Sequence, residues 1–230
     1  MTAWSLCGSC VLCGVATPLG SQICQPCQTD LPILGRACQR CSRPLSIGSV
    51  CAPCLKSPPP YTRCFSIFEY RYPVNLLVQR LKYKADLHLL RQLGKLMSET
   101  LPARIDALPQ CLIAVPLHPL RLLYRGYNQA VEIARPISQA LGIPITTRHC
   151  KRIRNTPAQA SLSPKDRAKN VQAAFAVPYA LSYTHVAIVD DVVTTGQTVS
   201  EISKELLHAG VKRVDVWALC RTVAGSSGAS

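Results

Sequence analysis

The chain is poor in aromatic residues, poor in acids and free of long apolar runs. Aromatics make up 6% of its 230 residues, with three Phe and two Trp. Sequence-tolerant binders of single-stranded nucleic acid rely on stacking platforms, and only Trp4, Tyr124 and Tyr127 offer one near basic residues. No apolar stretch approaches the roughly 18 residues of a membrane span, which argues against membrane insertion. The N-terminus lacks a basic segment followed by an uninterrupted apolar one, so no signal peptide is expected and the protein is placed in the cytoplasm. Aspartate and glutamate number 12 against 26 lysines and arginines, a formal charge of +14. The imbalance is local. Between Asp106 and Asp166 the only acid is Glu132, against Arg121, Arg125, Arg135, Arg148, Lys151, Arg152, Arg154 and Lys165. Such a run points to anionic partners, diphosphate or nucleic acid, or else to a solvated basic surface.

Cysteine, by contrast, is plentiful. Eight of thirteen form four Cys-x-x-Cys pairs: Cys10/Cys13, Cys24/Cys27, Cys38/Cys41 and Cys51/Cys54. In a reducing compartment this pattern reads as metal binding rather than as disulfides. Two pairs supply a closed tetrahedral thiolate site, which suits a structural zinc ion and leaves no open catalytic position. Two zinc ions with sequential pairing are the simplest arrangement. Interleaved pairing would need loops of roughly twenty residues or more. Cys7 could substitute for a ligand, and redox-active Cys-x-x-Cys is the competing function. Cys64, Cys111, Cys150 and Cys220 read as small buried apolar residues.

Residues 1–56 hold all four pairs and little apolar periodicity, as expected of a metal-stapled module. Residues 57–62, with Pro58-Pro59-Pro60, read as a stiff linker. Residues 63–223 alternate between strand and helix, and residues 224–230 read as a frayed tail. Cys64–Tyr70 has strand composition, and Pro73 to Leu101 carries apolar residues at helical spacing over two helices. Leu112–Pro116, Ile145–Arg148, His185–Asp190 and Arg213–Leu219 are expected strands. Asn128–Leu141 and Gln197–Ala209 are expected helices, each stopped by glycine. The alternation predicts an α/β fold with a parallel sheet, its ligand site beyond the carboxyl ends of the strands.

One such end carries the chemistry. Val186 to Val189 is apolar, Asp190 and Asp191 follow, and Val193, Thr194, Thr195, Gly196 and Thr198 lead into a helix. Backbone N–H groups, hydroxyls and the positive end of the helix dipole can surround a phosphate. The two carboxylates stand where vicinal sugar hydroxyls need acceptors. A phosphate beside a ribose describes phosphoribosyl pyrophosphate (PRPP). The competing reading is a carboxylate pair that caps the following helix.

This stretch resembles the PRPP signature of type I phosphoribosyltransferases. With Pro58-Pro59-Pro60, Val115-Pro116-Leu117-His118 and Arg125-Gly126-Tyr127-Asn128-Gln129, the chain resembles the ComF family (GntX-like proteins) from about Cys10 to Arg221. That family joins a double zinc ribbon to a type I phosphoribosyltransferase-like domain and is linked to competence and DNA utilisation. The resemblance implies that Asp190 and Asp191 act on the ribose 2′- and 3′-hydroxyls and serve as the catalytic acids. It implies that Val193, Thr194, Thr195, Gly196 and Thr198 hold the 5′-phosphate. Leu117 and His118 would line the diphosphate loop, Arg125 would contact diphosphate, and Mg2+ would enter with PRPP. The segment Arg152 to Asn170 would be a basic hood closing over the site. The reaction implied is displacement of diphosphate by an acceptor that the sequence does not name. The alternatives are a single-stranded nucleic-acid-handling protein that keeps the fold, or a zinc-based adaptor for a helicase or recombination protein.

Overall fold

The computed structural model describes residues 8–83, 86–154 and 173–222. Trp4, Cys7, most of the expected hood and the tail lie outside them. The first element is a two-stranded ribbon, β1 (Gly8–Ser9) and β2 (Ala16–Thr17), followed by two single-turn helices, α1 (Gln25–Thr29) and α2 (Ala52–Lys56). The α/β part follows as β3 (Arg63–Glu69), α3 (Val74–Tyr83), α4 (Leu87–Thr100), β4 (Cys111–Ala114), α5 (Pro119–Arg125), α6 (Gln129–Leu141) and β5 (Ile145–Thr146). It ends with a small ribbon, β6 (Lys151–Arg152) and β7 (Phe175–Ala176), then β8 (His185–Val193), α7 (Gln197–His208) and β9 (Arg213–Arg221).

The central sheet has five strands in the order β3-β9-β8-β4-β5, parallel throughout. Its strands are buried on both faces, so they read as continuous apolar runs. One face, with Leu112, Ala187, Val189 and Trp217, is covered by α3, α4 and α6 through Leu77, Leu81, Leu90, Leu93 and Ile133. The other, with Ile113, Ile188 and Val216, is covered by α7 through Val199, Ile202 and Leu206. Helices α4 and α6 cross at Gly94, where an added Cβ would stand 2.5 Å from the Ile133 carbonyl oxygen and 2.6 Å from Pro136 Cγ. Buried Glu132 joins the same pair of helices, accepting from Arg91 Nε at 3.2 Å and Arg135 Nε at 3.0 Å. Arg135 therefore leaves the basic run for a structural role.

The expected helices are present within a residue or two, capped by Asp86, which accepts from Leu89 N–H at 3.1 Å, and by Asn128. Three differences stand out. Strand β8 runs on to Val193 and β9 to Arg221, because Asp190 to Val193 still find β9 partners. The strand expected over Ile145–Arg148 stops at Thr146. Helix α5 was not expected; seven residues are too short for apolar periodicity, and it starts on Pro119 with His118 as its cap.

Candidate functional site

Chain direction places the site. From β4 the chain leaves through α6 toward β5 on one face of the sheet; from neighbouring β8 it leaves through α7 toward β9 on the other. Adjacent parallel strands whose connections diverge open a crevice at their carboxyl ends, the usual ligand position in such sheets. Its two lips are Val115–His118 after β4 and Asp190–Gly196 at the end of β8. Val115 N–H donates to the Val189 carbonyl at 2.9 Å and holds the lips together at their base.

On the β8 lip, Asp190 and Asp191 are half-buried and lie within the strand. Asp190 Oδ1 accepts from Asp191 N–H at 2.9 Å, and Asp191 Oδ1 from Val192 N–H at 2.8 Å. Consecutive strand residues face opposite sides of a sheet, and the two carboxylates meet different neighbours. Burial draws the Arg152 guanidinium below its usual range, Arg121 pushes the same way, and Asp190 opposes both. On the other side burial raises the Tyr127 phenol, Arg125 lowers it, and Asp86 and Asp191 raise it. Asp190 thus has Arg152 in its field, while Arg125 and Asp191 act in opposite directions on Tyr127 in the same region. Arg152 is buried and stacks over Phe175 at 5.5 Å.

After Val193 the chain turns through Thr194 and Thr195 to Gly196, whose φ of 85° suits glycine, and α7 begins. Gly196, the N-cap of α7, has no side chain to cap it, and Asp190 Oδ1 and Asp191 Oδ1 accept from Asp191 and Val192 N–H within the strand. Thr195 Oγ1 accepts from Gln197 N–H at 3.4 Å. Gly196 is buried above Tyr61, whose hydroxyl would stand 3.3 Å from an added Cβ. Thr198 lies in the first turn of α7.

On the β4 lip, Leu117 is half-buried and His118 Nδ1 accepts from Leu120 N–H at 3.3 Å, capping α5. The Arg125-to-Gln129 motif is largely a joint. Gly126 ends α5 with φ 78°, and the Tyr127 hydroxyl donates to the Leu81 carbonyl of α3. Asn128 Oδ1 accepts from Ala130 N–H at 3.0 Å while its Nδ2 donates to the Val115 carbonyl at 3.0 Å. Arg125, the last residue of α5, is the candidate of this motif for a ligand role. Sequence reading passed over Tyr61 and Arg221, and took Arg152 only as part of the loop.

The cysteines form two clusters, Cys10/Cys13/Cys24/Cys27 and Cys38/Cys41/Cys51/Cys54, with the sulfurs of each within 4.8 Å of one another. The pairing is sequential. All twelve described cysteines are unbridged, and Cys13–Cys24 and Cys41–Cys51 sulfurs lie 3.6 Å apart. Thiolates about 2.3 Å from a tetrahedral zinc stand about 3.8 Å apart, so the spacing fits the ion. The clusters are near-copies: Cys24 N–H donates to Cys10 Sγ at 3.4 Å, and Cys51 N–H to Cys38 Sγ at 3.3 Å. Burial raises the Cys10 thiol, but N–H groups of Cys24, Cys13 and Leu12 outweigh it and bring it down to about 6. Cys38 is brought to about 7 by Cys51, Cys41 and Arg40 N–H groups, again against burial. Cys27 is driven up by Cys13 and Cys24, and Cys54 by burial and then by Cys41 and Cys51. Thiolates held this close repel one another, and a divalent ion removes that conflict. Two structural zinc ions fit these residues.

Residues 2–55 match the double zinc ribbon domain family. The chain is 36% identical to the DNA utilization protein YhgH of Salmonella typhimurium over 94% of its own length and 98% of that protein's. It is 35% identical to competence protein F of Haemophilus influenzae, over 86% of this chain and 90% of that one. Among solved structures, purine phosphoribosyltransferase from Pyrococcus horikoshii matches 60% of this chain and 89% of its own at 17% identity and TM-score 0.33. Glutamine PRPP amidotransferase from B. subtilis matches 56% of this chain and 25% of its own, at 18% identity and TM-score 0.37. Overlap of that degree transfers no ligand.

Proposed function

Since the chain belongs to the ComF family, whose relatives bear names from DNA utilisation and competence, we propose that it binds PRPP in the crevice between β4 and β8. The observation that carries this reading is the switch point itself. It sets two carboxylates, a hydroxyl-rich turn and a helix start at one strand end, with Arg152 in the field of Asp190. Thr194, Thr195, Gly196 and Thr198, following Val193, hold the 5′-phosphate. Asp190 and Asp191 reach the ribose hydroxyls from the two sides of the strand. Leu117, His118 and Arg125 border the diphosphate. Magnesium enters with PRPP and offsets its charge, and carboxylate oxygens suit a hard cation. An acceptor attacking ribose C1 would form the new bond as the C1–oxygen bond breaks and diphosphate leaves with the electron pair; the arginines favour its departure. In this reading residues 1–56 are the zinc module, 57–62 the linker and 63–223 the PRPP domain, in a cytoplasmic protein. Among the described residues no helix is long and apolar enough to cross a membrane.

Asp190→Asn combined with Asp191→Asn is expected to abolish PRPP binding while zinc content stays at two per chain. Unchanged PRPP affinity in that double variant sinks the assignment of the acidic pair.

A second reading rests on α5, where Tyr124 is 96% exposed between Arg121 and Arg125. It is a single-stranded nucleic-acid contact beside the crevice, used with or without PRPP. Nucleic-acid affinity would fall steeply with salt, whereas magnesium–PRPP affinity would fall less.

A further inference from the structure

Arg221 is the last residue of β9, and its guanidinium is buried at 2% exposure. Among the described residues it forms no ion pair with a carboxylate. Its partners are main-chain oxygens from three places. Nε donates to the Cys41 carbonyl at 2.8 Å; Nη1 donates to the Val193 carbonyl at 2.8 Å, to that of Thr194, and to its neighbour Thr222 at 3.5 Å. Thr222 closes the same knot, its Oγ1 donating to the Thr194 carbonyl at 3.3 Å. One side chain therefore ties the backbone of a second-cluster cysteine to the two residues that open the candidate phosphate turn. Tyr61, buried at 3% exposure, lies beneath Gly196 of the same turn.

A buried charge without a counter-ion is costly, and carbonyl dipoles meet only part of that cost. Four thiolates around one divalent zinc carry a net charge of minus two, and Cys41 is one of the four. The loaded cluster is thus the nearest candidate for the missing negative charge. The geometry points to Arg221 as a positioning residue through which zinc in the Cys38/Cys41/Cys51/Cys54 cluster orders the phosphate turn at Val193–Gly196. Its consequence for PRPP affinity rests on the function proposed above; the ordering of the turn does not. The Cys10/Cys13/Cys24/Cys27 cluster packs instead on the α3, α4 and α6 face and makes no such link among the described residues.

The test is hydrogen exchange on the full zinc-loaded chain, read peptide by peptide, with PRPP titration alongside. The proteins are wild type, Arg221→Gln, Arg221→Lys, a second-cluster variant (Cys38→Ser with Cys51→Ser) and a first-cluster variant (Cys10→Ser with Cys24→Ser). Exchange over residues 190–200 is expected to rise about tenfold or more in Arg221→Gln and in the second-cluster variant, as local opening without global unfolding. Arg221→Lys should restore part of the protection, Arg221→Gln should keep two zinc ions, and the first-cluster variant should leave the turn unchanged. Three results overturn the proposal: unchanged exchange over 190–200 in Arg221→Gln, an equal rise in the first-cluster variant, or a rise across all peptides in both Arg221 variants. The last would mark Arg221 as a support of the whole fold. If wild type binds no PRPP, the function proposed above fails while the exchange result still decides the coupling.

Discussion

The two zinc knuckles share paired Cys-x-x-Cys ligands, a short helix bearing the fourth cysteine, and an N–H···S bond at the same place, yet they dock differently. The first gives Cys10, Ile23, Cys24 and Leu31 to the main core and is clamped by Gln92 of α4. That side chain accepts from Gln22 and Ile23 N–H at 2.7 and 3.2 Å and donates to the Ile23 carbonyl at 3.3 Å. The second keeps its four cysteines in a small core of their own with Leu45 and Val50. It reaches the body through polar links: Ser42 Oγ to the Cys64 carbonyl at 2.5 Å, and the Cys41 carbonyl to Arg221. The first knuckle is thus held by apolar packing and a glutamine clamp, the second by single hydrogen bonds to β3 and to the end of β9, where Arg221 also holds the Val193–Thr194 turn. The pair teaches that duplicated metal sites need not have duplicated roles.

Metal removal breaks the comparison most severely. Structural zinc contributes apparent binding energies of about 10–16 kcal/mol in small modules, so stripping both ions should unfold residues 8–56, seen as new protease cleavage there. Capture of zinc releases thiol protons, so affinity rises with pH and falls on acidification. Indicator titration of the two single-knuckle variants across pH checks this, and zinc affinity that does not fall on acidification contradicts it.

Gly94→Ala probes the face beneath the first knuckle. Its Cβ would overlap the Ile133 carbonyl, and overpacking of this kind costs about 1–3 kcal/mol. A lowered Tm with unchanged zinc content is expected. Gln92→Ala leaves the Gln22 and Ile23 N–H groups without their acceptor, at about 1–2 kcal/mol; exchange should rise over residues 20–25 and not over 190–200. The smallest effect is at Asp106, which Arg213 holds at about 2. Its folded value lies below the unfolded value of about 3.9, so its contribution is present above about pH 4 and lost as pH falls through about 2. Asp106→Asn should therefore lower Tm slightly at neutral pH, by less as pH falls from about 4 toward 2, and not at all well below about 2.

Much of this architecture was legible in the chain. Cysteine spacing announced both clusters and their sequential pairing. Strand–helix alternation announced the parallel sheet, and Asp190 to Thr198 announced the strand–turn–helix. What escaped reading depends on contacts distant in sequence. Arg221 ends an apolar strand and bonds to carbonyls, which leave no mark on side-chain pattern. Arg152 stood in a run of equivalent cations until the fold brought it near Asp190. Arg125-Gly126-Tyr127-Asn128 reads as one motif, yet three of its four residues serve a joint between α5, β4 and α3. The opposite facing of Asp190 and Asp191 followed only once β8 proved to run to Val193, which no breaker residue forbade.

The most direct test of the central claim is calorimetric titration of the zinc-loaded protein with PRPP, with and without magnesium. Saturable, magnesium-dependent binding that is lost in Thr195→Ala is the predicted result. No heat of binding under either condition would contradict a PRPP site between β4 and β8.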